Sequence, residues 1–481
     1  MDNLAFLPAL EQARLIRDRQ VSPLELTELY LHRIAQYDPQ VGSFFHVAAD
    51  RALEDAKTKT EYLATHPTEL PPFFGVPTGI KDLSPVQGMP CSYGIRWARD
   101  RIAETDDHVT RRIKQAGFVI LGKTATSQLG SLPYVEPPGF APTRNPWNLA
   151  YSSGGSSGGA AAAVAAGFCA IASGSDGGGS VRIPAACCGL VGLKPSRGRV
   201  SCAPVDEYFS GCVVMGSLAR TVADAAALLD AIAGYELGDP YWLPEPETSF
   251  LATAQQPIEP SRHETLRIGF ATHIPPVGEP TADCQDAVLK TAHALEALGH
   301  QVEPLNLDNF DFSELIGPFQ IAWQTQTDVG VPGFLLEPVN RDLWWRAQFY
   351  RAGRYIQARQ QLYGFARKVV KLCAPFDVVL LPTLMYPAVK IGQFKGLRTA
   401  KLLEQIIQWF APAPAFNASG QPAIAFPILL NSENLPVSVQ LVGKPAGEET
   451  LIRLAAQLEQ QGYGQLGSPT LFSDGRDRVM G

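Results

Sequence analysis

The chain lacks several features that would each point to a definite class of protein. Its eight cysteines (Cys91, Cys169, Cys187, Cys188, Cys202, Cys212, Cys284 and Cys373) form no C-x-x-C pair. A zinc or redox motif is therefore not expected, and scattered cysteines suit a reducing cytosol. There is no block of lysine or arginine, and 40 basic residues face 47 acidic ones, for a net charge of −7. Direct nucleic-acid binding, which wants a basic face, is not expected. The most apolar stretch, residues 160–172, is short and alanine-rich, too weak for a membrane span. The N-terminus shows no basic start leading into an apolar run, so no secretory signal is expected. Disorder is excluded, because 46% of the 481 residues are hydrophobic and only 18% are charged. No repeat period occurs. A cytoplasmic protein without integral membrane association is the expectation.

What is present reads as mixed helix and strand. Ser22-Pro23-Leu24-Glu25 is a capping box with proline at the first helical position, followed by apolar residues at helical spacing. Residues 109–116 and 221–233 read as helices closed by Gly117 and Gly234. Residues 118–121, 376–381 and 423–426 read as buried strands. Residues 266–270, 286–298 and 302–305 form a β-α-β pattern. Residues 310–375, rich in aromatics and glutamine, read as helical. This alternation favours an α/β fold, a sheet covered by helices on both faces.

Two glycine-serine segments stand out, residues 152–159 (SSGGSSGG) and 174–182 (GSDGGGSVR). Between them, residues 160–172 are long enough for one buried helix, so the two loops can meet in space. Glycine runs let backbone N–H groups face a ligand. No phosphate-binding pattern is present. Gly154-x-Ser156-x-Gly158 matches a nucleophile elbow, but loop chemistry precedes it and no histidine follows His300. A serine nucleophile without histidine needs another base. Lysine serves if burial lowers its pKa, and Lys81, after an apolar segment, is the candidate.

These residues resemble the amidase signature family of serine hydrolases. The matching segments are GVPTGIKD (75–82), GGSSGG (154–159), GSDGGGSVRIPA (174–185) and GLVGLKPSRGRVS (189–201). Looser matches are NPWN (145–148), LARTVADAAALLDAIAG (218–234), NASGQPAIAFP (417–427) and LPVSVQLVG (435–443). The resemblance implies one large α/β domain over residues 1–481 with a mixed central β-sheet covered by helices on both faces, in which 73–234 is the catalytic signature core and 235–375 a variable substrate-channel region. It implies a catalytic triad of Ser180 as nucleophile, Ser156 after a cis Gly155–Ser156 peptide, and Lys81 as base. It implies an oxyanion hole from the backbone N–H groups of Gly177, Gly178, Gly179 and Ser180. Ser175, Asp176 and Arg182 brace that loop, Asp176 and Arg182 as a buried ion pair. Asp82 must point away from Lys81. The family usually carries a bulkier residue where Gly177 stands. Gly130 falls where fatty acid amide hydrolase lines its acyl pocket. Tyr93, Tyr134, Trp323, Trp344, Trp345 and Phe349 are further pocket candidates, and Cys91, Cys187, Cys188 and Cys212 suit a small core role.

The implied activity is hydrolysis of linear carboxamides through an acyl-enzyme, with no metal or cofactor, on a small-molecule amide, by a monomer or homodimer. Residues 135–234 are most similar to bacterial amidases such as 6-aminohexanoate cyclic dimer hydrolase. The alternative is the A subunit of a glutamyl-tRNA amidotransferase, a glutaminase with a partner subunit. That subunit carries an Asp-x-[YF]-Thr context before the late N-x-x-G-x-P segment. Residues 409–414 (WFAPAP) lack it.

Overall fold

The computed structural model describes residues 2–66, 70–205, 207–256, 265–308, 310–328 and 330–469. Its strands, in chain order, are β1 (Phe44–Val47), β2 (Pro77–Lys81), β3 (Val119–Thr124), β4 (Arg144–Asn145), β5 (Asn148–Ser152), β6 (Ile171–Asp176), β7 (Val191–Lys194), β8 (Val214–Ala219), β9 (Arg267–Phe270), β10 (Gln301–Pro304), β11 (Val378–Pro382), β12 (Ala423–Leu430) and β13 (Pro436–Gly443). Eleven of them make one sheet in the order β1-β3-β2-β6-β8-β7-β12-β13-β11-β9-β10, and β4 and β5 form a separate hairpin. The sheet is mixed: β2 runs parallel to β3 and β6, and β9 parallel to β10 and β11, while the pairings between these groups are antiparallel. Helices cover it, and one domain results.

Local chemistry accounts for the elements. Ser22 Oγ accepts from Glu25 N (3.1 Å) and Glu25 Oε2 accepts from Ser22 N (2.8 Å), so the capping box starts helix Pro23–Val41 as its sequence demands. Gly42, at φ +70°, ends it in a left-handed turn. Thr221 caps helix Val222–Ile232. The β-α-β pattern is β9, helix Ala282–Ala297 and parallel β10. Residues 310–375 contain helices Ile316–Thr325, Pro338–Ala347 and Ala352–Cys373. Among the described residues no helix is long and apolar enough to cross a membrane.

The expectation of one helix over residues 160–172 is corrected. The helix is Gly158–Ala165, the chain turns through Gly167 at φ +68°, and β6 begins at Ile171. Every residue of both elements is buried. A short apolar run buried all round carries no periodicity that separates helix from strand. The glycine at the helix start is required by contact: a Cβ on Gly159 would lie 2.3 Å from Ala125 N.

The sheet order sets the site. β2 and β6 are parallel neighbours in its interior, and both end in chemistry-bearing residues, Lys81 and Asp176. Open α/β sheets place ligands outside the carboxyl ends of their strands.

Candidate active site

Lys81 closes a strand whose five residues are all buried. Its Nζ lies 2.8 Å from each of Ser156 Oγ, Ser157 Oγ and Ser175 Oγ, and 3.4 Å from Ser175 O. Burial lowers its pKa to about 7, against the opposing charge of Asp176. Successive strand residues face opposite sides of a sheet, so Asp82 turns away from Lys81. Its carboxylate accepts from Ser92 N (3.0 Å) and stands 3.5 Å from Lys123 Nζ.

The two glycine-serine loops meet over this amine. The first, between β5 and helix Gly158–Ala165, carries Ser156 after a cis Gly155–Ser156 peptide. The second leaves β6 as Gly177-Gly178-Gly179-Ser180 and runs into helix Arg182–Cys188. Ser157 N donates to Ser180 O (3.2 Å) and joins them.

Asp176 organises the second loop. Its Oδ1 accepts from Gly179 N (2.7 Å), Arg182 Nη2 (2.9 Å) and Asn417 Nδ2 (2.8 Å). Its Oδ2 accepts from Val181 N (3.1 Å) and Arg182 Nε (3.0 Å). Burial alone would raise this carboxyl's pKa. The charge and hydrogen bonds of Arg182, with Lys194 and Asn417, outweigh it and hold the group well below the usual range. Arg182 also reaches Ala413 O (3.0 Å) and Asn417 Oδ1 (2.6 Å).

Within this network the Gly179 N–H donates to Asp176 Oδ1. The N–H groups of Gly177, Gly178 and Ser180 have no acceptor among the described residues. The departure at Gly177 has a cause in the neighbouring loop: a Cβ there would lie 2.9 Å from Val213 Cγ2 and 3.4 Å from Phe209 Cδ1.

A cavity of about 420 Å³ opens over the loops, and Ser156, Ser175, Gly177, Gly178, Ser180 and Gly130 line it. A Cβ on Gly130 would lie 3.5 Å from Ser156 Oγ and 2.8 Å from Leu83 Cδ1, so only glycine leaves this side open. Tyr93 and Trp323 also line the cavity, while Tyr134 does not; it packs against Phe394, ring centroids 5.0 Å apart. Trp344, Trp345 and Phe349 are not on the wall either, and Trp345 and Phe349 are exposed. Helical spacing puts residues on one face without saying which face turns inward. Cys91, Cys187, Cys188 and Cys212 are buried free thiols whose pKa burial raises. The sequence reading missed Ser157, the third hydroxyl on Lys81, and Asn417, which lay inside a segment already matched to the family. Among the described residues no group of three or more His, Cys, Asp and Glu side chains could hold a metal ion.

The family model described as Amidase matches residues 25–452. The chain belongs to the amidase family. It is 49% identical to a putative amidase of Synechocystis sp. over 464 residues, covering 96% of this chain and 90% of the relative. It is 34% identical to the 6-aminohexanoate-cyclic-dimer hydrolase of Paenarthrobacter ureafaciens over 487 residues, 94% of each. The solved structure of 6-aminohexanoate cyclic dimer hydrolase complexed with substrate superimposes with a TM-score of 0.89 at 30% identity, covering 98% of this chain and all of that one. This amidase is thus a hydrolase of amide bonds with the fold of its family.

Proposed function

We propose that this amidase hydrolyses linear carboxamide C–N bonds to a carboxylate and an amine or ammonia through a Ser180–cis-Ser156–Lys81 triad and an acyl-enzyme. The observation that carries the reading is the Lys81 amine, wholly buried, 2.8 Å from Ser156 Oγ, and surrounded by hydroxyls rather than carboxylates.

A lysine titrating near the ordinary value of 10.5 is almost entirely charged at pH 7 and cannot act as a base; one held at about 7 is neutral about half the time. Neutral Lys81 takes the Ser156 hydroxyl proton, and Ser156 takes that of Ser180. The Ser180 oxygen bonds to the amide carbon, and the carbonyl electrons move onto oxygen, facing the N–H groups of Gly177, Gly178 and Ser180. Collapse breaks the C–N bond. Lys81 returns its proton through Ser156 to the departing nitrogen, which leaves badly unless protonated. Water then adds to the Ser180 ester, giving its proton to the same relay, and the carboxylate leaves as Ser180 regains a proton. Gly155 and Gly179 shape the two loops, and Ser175, Asp176 and Arg182 support them.

The segment 235–375 contributes Phe319, Trp323, Gln326 and Thr327 to the cavity, which supports its reading as the variable substrate channel. The same cavity speaks against the glutaminase reading. Its wall is largely apolar, with Leu83, Leu132, Ile183, Met215 and Phe410 among the lining residues. A free amino acid brings an ammonium and a carboxylate that need charged partners. Among the described residues only Arg101 and Asp107 border the cavity as charged side chains, and Asp107 caps helix His108–Gln115 through Thr110 N (2.7 Å).

The test is a panel of amides of graded acyl length, given to the wild type and to Ser180→Ala. Turnover by the wild type should fall by at least about 10³-fold in the variant, since the attacking oxygen is removed. No turnover by either protein, or equal turnover by both, would overturn the proposal.

A further inference from the structure

The turn Gln128–Gly130 forms the cavity wall beside Ser156, and its backbone is unusual. Leu129 stands at φ +56° and Gly130 at φ +66°. A non-glycine residue in this region persists when its surroundings hold it. Leu129 N donates to Tyr93 O (2.8 Å), and a second hold comes from more than 200 residues away, at the start of helix Pro338–Ala347. Asn340, fully buried, donates from Nδ2 to Gln128 O (3.2 Å), Gln128 Oε1 (3.2 Å) and Glu337 Oε1 (2.9 Å). Its Oδ1 accepts from Ser131 Oγ (2.7 Å). Gln128 Oε1 in turn accepts from Glu337 N (2.8 Å).

The arrangement departs from ordinary capping. An amide or carboxyl at the third helical position usually serves its own helix by accepting from the N-cap N–H. Here the N-cap is Glu337, and its N–H is satisfied by the cavity turn instead. Asn340 is thereby released to grip that turn on two sides. A local rule broken in this way, in a buried cluster, is the pattern of a functional constraint.

We propose that Asn340 is a positioning residue that sets the size selectivity of this amidase, by clamping the Gln128–Ser131 wall against the catalytic serine relay. The inference rests on the amidase reading above. Substrate groups meet the wall through Leu129, Gly130 and Ser131, which line the cavity, and a larger group meets more of it than acetamide does.

The test compares kcat/KM for acetamide with kcat/KM for two series, one of lengthening acyl groups on a fixed amine and one of enlarging amines on a fixed acetyl group. Asn340→Ala should change the large-to-small ratio in at least one series by about tenfold or more, mainly through KM, because sub-ångström misplacement of a wall is felt at this scale. Acetamide turnover should stay within about threefold. Ser131→Ala, which removes one arm of the clamp, should shift the ratio in the same direction by less, and it serves if Asn340→Ala does not fold. Leu343→Ala, a buried packing position on the same helix, should lower Tm and leave the ratio unchanged. Equal loss on every amide in the Asn340 and Ser131 variants, or an unchanged ratio, would overturn the proposal. Failure of the amidase reading itself looks different: no amide turnover by the wild type, or turnover that survives Ser180→Ala.

Discussion

Two buried lysines in this molecule share a lowered pKa and differ in what they touch. Burial lowers both Lys81 and Lys194 to about 7. Both end a strand of the same sheet, and both are almost wholly shielded from solvent. Lys81 meets three hydroxyls, two of which line the catalytic cavity. Lys194 meets the carbonyl of Pro195 (2.9 Å), with Arg182, Arg197, Asp176 and Glu448 acting on it electrostatically. A neutral amine is therefore not enough to make a base. It must also touch a group that can pass it a proton, and that group must face the substrate. Lys123 adds a third case: equally buried, it stands 3.5 Å from Asp82 and donates to Ser84 O (2.6 Å). Its neighbours are a carboxyl group and a backbone carbonyl, neither of which has an alcohol hydroxyl to offer.

The largest effect expected from this contrast is on Lys81→Met. It should lower kcat by about 10²- to 10⁴-fold, the range for losing a positioned general base. Rapid-quench or steady-state assay of any good amide substrate measures it. Activity within threefold of wild type would transfer the role of base to another group. The pH dependence comes next. The base works when deprotonated, so its active fraction rises with pH through its pKa. In the wild type, kcat/KM should climb about tenfold per pH unit below about 7 and level off above it. A profile flat from pH 5 to 10 would place the titrating group elsewhere.

Much of the site was legible because motif chemistry is local. Lys81, Ser156 and Ser180 sit in short segments whose glycines and serines carry the signal; Ser156 and Ser180 line one cavity, and Lys81 Nζ lies behind it, 2.8 Å from Ser156 Oγ. What was not legible depends on long-range contact. Asn417 meets Asp176 across 241 residues, and Asn340 meets Gln128 across 212. No periodicity encodes such pairs. Backbone N–H groups look alike in a sequence; a hydrogen bond to Asp176 separates that of Gly179 from its neighbours. In the fold, capped helices such as Pro23–Val41 followed from their end residues, whereas β2, buried on both faces and interrupted by Gly79, has no alternation to announce it. Residues 160–172 failed for the same reason, since total burial erases the period that distinguishes a helix from a strand.

The smallest expected change in activity belongs to Lys194→Met, and it sharpens the comparison most. If contact with the serine relay is what makes a base, this variant should keep kcat within about threefold and keep the same pH midpoint, despite losing an amine with the same pKa as Lys81. Stability should nonetheless respond to pH. Lys194 titrates at about 7 in the folded chain and near 10.5 when unfolded, so between these values the unfolded chain binds the extra proton. Stability therefore rises with pH across that window, and is penalised in full below about 7. Replacing the amine with methionine removes this contribution. Denaturant melts from pH 7 to 10 should show a smaller rise in stability for Lys194→Met than for wild type. A rise of equal size would mean that Lys194 is charged in the fold, held so by Asp176 and Glu448, and that burial alone does not set the state of a lysine in this sheet.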